Sequence, residues 1–317
     1  MTADYTTADY TLAKLKMRQA LPLDLKIKFS QSRIREWYNA NGGEVYVSFS
    51  GGKDSTVLLD LVRSIYPHVP AVFVDTGLEY PEIRNFVKTF ENVIWLKPKM
   101  PFNKVLEKYG YPVLSKKIAM GISRYRNTKS EVQKELRLNG GINPSSNKKQ
   151  HRSIPLKYHY LVDAPFKISE QCCDVMKKRP FKQYFKDSGK LPYIGVMAGD
   201  SKNRQQSYVQ RGCNAFEGNA QSRPMMFWQE DDIWEYIKTK DLPYSKIYDM
   251  GEKRTGCMFC MFGCQFEKGE NRFQRMARTH PAQYKYCMDK LGLRKVLKHL
   301  KINVDPVELQ TTLFSGC

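Results

Sequence analysis

Histidine is scarce in this chain of 317 residues, with five in all, and His151, His159 and His280 show no ligand spacing, so none is assigned a role. Long apolar runs are absent: no window approaches the roughly 18 consecutive residues of a membrane span. Residues 1–16 lack a basic stretch followed by an apolar core, so no secretory signal is expected either, and the chain reads as cytoplasmic. Carboxylates are in short supply, with 32 Asp and Glu against 52 Lys and Arg, a net charge of +20 that raises polyanionic partners. Cysteine, by contrast, is not scarce. In a reducing compartment eight thiols should not form four disulfides, and the bunching of Cys172 with Cys173 and of Cys257, Cys260 and Cys264 points to metal or redox chemistry.

The excess positive charge is localised. Residues 115–160 hold eleven Lys and Arg, Lys116 and Lys117 among them, against Glu131 and Glu135, or +9 of the +20. Residues 121–160 are expected to hold one charged helix and a Gly/Asn/Pro/Ser linker with no strong apolar face, as in a mobile insertion or lid. The first 40 residues read as helices broken at Pro22 and ending at Asn41-Gly42-Gly43. A short pentapeptide duplication at residues 2–11 carries no architecture. From Glu44 the pattern alternates: the strand EVYVSFS, a glycine turn, a helix over STVLLDLVRSIYP, the strand PAVFVDTG, a helix over PEIRNFVKTF and the strand NVIWLKP. LPYIGVMAG adds a further buried strand, and DDIWEYIKTKDLP an amphipathic helix. Strands alternating with helices predict an α/β fold with a doubly wound, mostly parallel sheet. Three regions are expected: an N-terminal helical segment (1–43), a nucleotide-binding domain (44–240) with the basic insertion 115–160, and a cysteine-rich helical region (241–317).

The strongest signal is the run Ser48 to Ser55, SFSGGKDS, between a strand and a helix. Gly51 and Gly52 let the backbone approach an anion. Ser50 and Ser55 can donate hydroxyl hydrogen bonds, and the helix starting near Asp54 points its free N–H groups at the same place. The spacing is neither GxxxxGK[ST] nor GxGxxG. SGGKDS resembles the PP-loop of the ATP pyrophosphatase superfamily, which cleaves ATP between its α and β phosphates to adenylate a substrate. That resemblance implies a Rossmann-like adenine nucleotide alpha hydrolase fold, with ATP and magnesium as cofactors. Lys53 would contact the departing phosphates and Asp54 would organise the magnesium ion. Asp75, Thr76 and Gly77, after the second strand, would sit near the nucleotide with Ser48 and the loop residues.

Cys172 and Cys173 are adjacent, and Cys257 and Cys260 follow as a CxxC. Four such thiolates can hold a tetrahedral zinc ion or a cubane cluster; the directions of an adjacent pair suit two irons of one cluster better than a single ion. The arrangement resembles the [4Fe-4S] ligand set of the assimilatory sulfonucleotide reductases, the PAPS reductase-like group, which shares the PP-loop fold. EQCCDVMKKRP (170–180), GVMAGDSKNR (195–204) and RPMMFWQEDDIWEYI (223–237) are similar to segments of that family, so the resemblance runs from about residue 44 to about 290. It suggests nucleotide or phosphate contacts for Arg204 and Arg223. Cys264 is a candidate sulfur carrier or a core cysteine. Cys213 and Cys287 look structural, and Trp228 and Trp234 read as packing. Cys317, at the end of the sequence, is a candidate nucleophile.

Two departures separate the chain from those reductases. Its loop keeps all six residues, which the reductases' loop does not, and the reductases' C-terminal ECG[LI]H motif is absent. Both favour ATP use. The expected function is therefore an ATP-dependent, iron–sulfur sulfurtransferase that adenylates a nucleotide or nucleic-acid acceptor. It would contact tRNA or DNA through residues 115–160 and be served by a sulfur or electron donor protein. The alternatives are a sulfonucleotide reductase using Cys317, and a nucleic-acid-binding accessory protein that does not turn over.

Overall fold

Val45, Tyr46 and Val47 offer no polar face to water, and β1 (Val45–Ser48) is accordingly buried with a strand on either side. The computed structural model describes residues 11–305. β1 pairs in parallel with β2 (Ala71–Val74), Val47 opposite Ala71, and with the strand Leu191–Ile194, Val45 opposite Leu191. β3 (Val93–Leu96) lies outside β2, again parallel. On the far flank Gln221–Ser222 is parallel to Leu191–Ile194, and Asn214–Ala215 ends the sheet antiparallel. The result is the expected α/β fold with a mostly parallel sheet, in the order β3, β2, β1, 191–194, 221–222, 214–215. Strand order reverses beside β1, where open α/β sheets take their ligands.

The chain divides into two compact units. The first comprises residues 1–75, 79–97 and 180–255 and contains the six-stranded sheet. α1 (Leu12–Gln19) and α2 (Leu23–Ala40) belong to it, with Pro22 between them. α2 is fixed by a buried ion pair, Lys26 Nζ to both Asp232 oxygens at 2.7 and 2.8 Å. A relay adds to this: the Trp228 indole N–H donates to Ser30 Oγ, which donates to the Pro224 carbonyl. Trp228 is thus a packing residue, as its sequence context suggests. α3 (Lys53–Arg63) follows β1, and α4 (Pro81–Val87) links β2 to β3.

The second unit comprises residues 76–78, 98–179 and 256–317. Here the sequence expectation needs correction. Instead of one charged helix and a linker, residues 116–150 form the helices Lys116–Asn127 and Glu131–Leu138 and an antiparallel hairpin, Gly141–Asn143 with Lys148–Gln150. Their apolar positions do make a core: Ile118, Ala119, Ile122, Leu136 and Ile154 are buried. Arg126 is structural, its guanidinium donating to the carbonyls of Leu161, Val162, Ala164 and Phe166 at 2.6 to 2.8 Å. Among the described residues no helix is long and apolar enough to cross a membrane.

Candidate functional site

The turn after β1 is closed by its own serines. Ser55 Oγ accepts from the Ser50 N–H at 3.2 Å and donates to the Gly52 carbonyl at 2.9 Å, while Ser50 Oγ lies 3.0 Å from it. Gly51 takes a φ of +70°, and a Cβ there would come within 2.7 Å of Val87 Cγ2 and 2.9 Å of Ile83 Cγ2 on α4. Both conditions require glycine. Gly51→Ala is expected to lower stability by about 2–4 kcal/mol, from left-handed strain plus overpacking, as read by urea denaturation.

The loop opens into a cleft of about 280 Å³ lined by Ser50, Gly52, Lys53, Asp54 and Ser55 of the loop and by Gly195, Asp200, Arg204 and Glu230 from later in the chain. Its charges are paired. Lys53 Nζ stands 3.3 Å from Asp54 Oδ1 and 3.3 Å from Glu230 Oε1. Arg204 bonds Asp200, and Arg254 approaches the same carboxylate at 3.4 Å. Burial pulls the Lys53 amine down, but Asp54, Tyr248 and Glu230 more than offset it, so its pKa is raised and the amine stays charged. Burial, and then Arg254, lower the pKa of Arg204. Asp54 Oδ1 is buried without a hydrogen bond, its counter-charge the Lys53 amine 3.3 Å away. A buried carboxylate oxygen in that state suits a hard divalent cation, so Asp54 fits the magnesium role.

Of the residues singled out from sequence, Ser50, Gly52, Lys53, Asp54, Ser55 and Arg204 line this cleft. Ser48 ends β1 in register with Val72 and Ile194. The Asp75 carboxylate takes the Arg84 guanidinium at 2.8 Å, and Thr76 and Gly77 belong to the second unit. Arg223 is buried, donating to Ser207 Oγ and to the Gly212 carbonyl. Trp234, read as packing, has its ring centroid 5.9 Å from Lys53 Nζ. Glu230, Tyr248 and Asp200 were missed as site residues. Asp200 lies inside a quoted family-like segment, and Glu230 is the first-turn acid of a recognised helix. Tyr248 carries no sequence signal.

All four candidate ligand cysteines belong to the second unit, with Cys172 and Cys173 leading into a π-helical turn, Asp174–Lys178. The Cys172 thiol is pushed far up, first by burial and then by Cys257, Cys173 and Cys260. Burial raises Cys260 too, opposed by the Phe262 N–H, Arg272 and Lys177. Among the described residues no three Cys, His, Asp or Glu side chains converge as a shell for one metal ion. A tetrahedral zinc needs its sulfurs at about 2.3 Å from one point. A cubane spreads its four thiolates over separate irons; four thiols are donors suited to either group, and Lys177 and Arg272 supply counter-charge at Cys260.

Cys264 is 2% exposed, its thiol pushed up to about 12 by burial and then by Glu267. Cys213 is buried, and Cys287 is buried with its Sγ 3.3 Å from the Tyr284 carbonyl. Cys317 lies outside the described residues.

Residues 44–117 and 101–262 match the family model of the phosphoadenosine phosphosulfate reductase domain. An uncharacterized protein of Methanocaldococcus jannaschii is 26% identical over 273 residues, 83% of this chain and 52% of that one. The chain thus spans about half the length of this relative. Adenosine 5'-phosphosulfate reductase of Staphylococcus epidermidis is 26% identical over 248 residues, covering 78% of this chain and 82% of that one. Among solved structures, phosphoadenylyl-sulfate reductase from Candida auris aligns with a TM-score of 0.40 at 14% identity, over 78% of this chain and 95% of the other. Candida glabrata FMN adenylyltransferase in complex with ATP aligns with 0.42 at 14%, over 77% and 67%.

Proposed function

The chain belongs to the phosphoadenosine phosphosulfate reductase domain family, and on that premise we propose that it is an ATP-dependent, iron–sulfur sulfurtransferase that adenylates a nucleic-acid or nucleotide acceptor. The observation that carries this reading is the intact loop with Lys53 and Asp54 facing each other in one cleft. The loop N–H groups and Lys53 would bind the β and γ phosphates and stabilise the charge that builds on pyrophosphate as it leaves. Asp54 would hold the magnesium ion, which neutralises that leaving group. Arg204 would steady the α-phosphate once it exchanges Asp200 for a phosphate oxygen. An acceptor oxygen attacks the α-phosphorus, pyrophosphate departs, and a sulfur nucleophile then displaces AMP. Cys172, Cys173, Cys257 and Cys260 would hold a [4Fe-4S] cluster, whose chemistry when bound is electron storage or sulfur delivery. Cys264, buried beside the CxxC, would carry sulfur only after a change that exposes it.

The relatives named adenosine 5'-phosphosulfate reductase favour a second reading, reduction of a sulfonucleotide with release of sulfite. One experiment separates the two. Anaerobically purified protein is given ATP and magnesium, or adenylylsulfate and a thiol reductant, and pyrophosphate, AMP and sulfite are assayed. Pyrophosphate and AMP from ATP support adenylation; sulfite with ATP untouched supports the reductase. Nucleotide binding without turnover supports an accessory role.

For a nucleic-acid acceptor, the basic segment divides by role. Arg126 is committed to four carbonyls and Lys134 to Glu131, whereas Lys148 and Lys149 stand exposed on the hairpin. Lys148→Gln with Lys149→Gln is expected to reduce the slope of log affinity against log salt by about 1.5 without changing stability. Fluorescence anisotropy with labelled tRNA or DNA at several salt concentrations checks this; an unchanged slope removes the hairpin from the interface.

A further inference from the structure

The first backbone N–H after the glycines, that of Lys53, is already taken: it donates to the Tyr248 hydroxyl at 2.8 Å. Tyr248 lies 195 residues further along the chain. Its hydroxyl also faces Gly52, 3.3 Å from where a Cβ there would stand. Its ring packs edge-on to Trp234 at 5.5 Å between centroids, with Lys53 Nζ 5.7 Å from its centre. Thr255 also rests on the glycine turn, since a Cβ on Gly52 would overlap its Oγ1. Tyr248 and Thr255 therefore lie directly against the phosphate loop. The cleft's three cationic side chains are likewise held by oxygens of the chain: Lys53 Nζ by Asp54 and Glu230, and Arg204 and Arg254 by Asp200.

Resting on the nucleotide reading of this cleft, we propose that the Tyr248 hydroxyl is a built-in competitor for a phosphate-oxygen position on the loop, and that a polyphosphate enters by displacing it. A neutral hydroxyl is the weaker acceptor, because a charged phosphate oxygen makes hydrogen bonds roughly twice as strong. Displacement by a polyphosphate therefore runs downhill, while the tyrosine lowers the affinity by the strength of the bond it gives up. Tyr248 is on this account a residue that tunes affinity and loop order, and the Tyr248→Phe variant keeps the ring against Trp234 while removing only the competing oxygen.

The test compares wild-type protein with Tyr248→Phe in two measurements. Calorimetric titration with magnesium pyrophosphate is expected to show binding about 3- to 10-fold tighter in the variant, the range for one lost neutral hydrogen bond. Amide hydrogen exchange of the peptide containing Lys53, without ligand, is expected to be faster in the variant. Equal or weaker pyrophosphate binding by the phenylalanine variant overturns the displacement alone, since the hydroxyl would then serve the ligand or be irrelevant to it. Unchanged exchange overturns it as well. Binding by neither protein overturns the nucleotide reading and the displacement together.

Discussion

Lys53→Ala is expected to lower the rate of pyrophosphate release from ATP by at least about 10³-fold, the order lost when a cation facing a transferring phosphate is removed. Two effects combine. The amine that faces the leaving phosphates disappears, and Asp54 and Glu230, each 3.3 Å from it, are left facing an incoming polyanion with no charge between them. Because the surrounding carboxylates raise the Lys53 pKa above its ordinary 10.5, the wild-type amine stays protonated across the working range. Activity should therefore show no descending limb from this group below about pH 10. The four candidate ligand cysteines belong to the other unit, so the visible spectrum should survive the substitution. AMP formation at the wild-type rate would falsify the assignment of the loop.

Cys257→Ser should remove most of the visible absorption of anaerobically purified protein and most of its bound iron, with the circular dichroism of the α/β unit retained. A serine oxygen is a poor ligand for a soft iron–sulfide cluster, and burial raises the Cys172 and Cys260 thiols, so an uncompensated thiolate is penalised there. Cys287→Ser and Cys213→Ser are the controls. Cys287 is buried and bonded to the Tyr284 carbonyl, Cys213 is buried in the other unit, and neither should affect the chromophore. An unchanged spectrum in the Cys257 variant would remove that residue from the ligand set.

The parts of the fold legible in sequence were those where burial and period coincide. β1, β2 and β3 are short Val- and aromatic-rich runs between amphipathic helices, and such runs leave little choice of structure. The loop was legible because its function dictates residue types: only glycine tolerates the φ of Gly51 and the nearness of Val87. The basic region was misread. Its charges obscured a sparse apolar set, Ile118, Ile122, Leu136 and Ile154, that becomes a core only when two helices and a following turn meet. Trp234 and Tyr248 were opaque for a different reason. Their place beside Lys53 comes from tertiary packing across nearly 200 positions, and no local pattern records which face of the helix Glu230–Lys240 meets the glycine turn.

The pairing of β1 with Leu191–Ile194 has a consequence for synthesis. Val45 must wait for Leu191, made 146 residues later, an interval of roughly 7 to 30 s at ordinary elongation rates. During that time β1 has β2 on one side and nothing from its own sheet on the other, while its side chains are apolar on both faces. An unpaired, apolar central strand is the kind of edge that recruits strands from other chains. The nascent protein is thus most vulnerable to aggregation between completion of β3 and emergence of residue 194. Chaperone dependence should track this window and not the stability of the finished sheet.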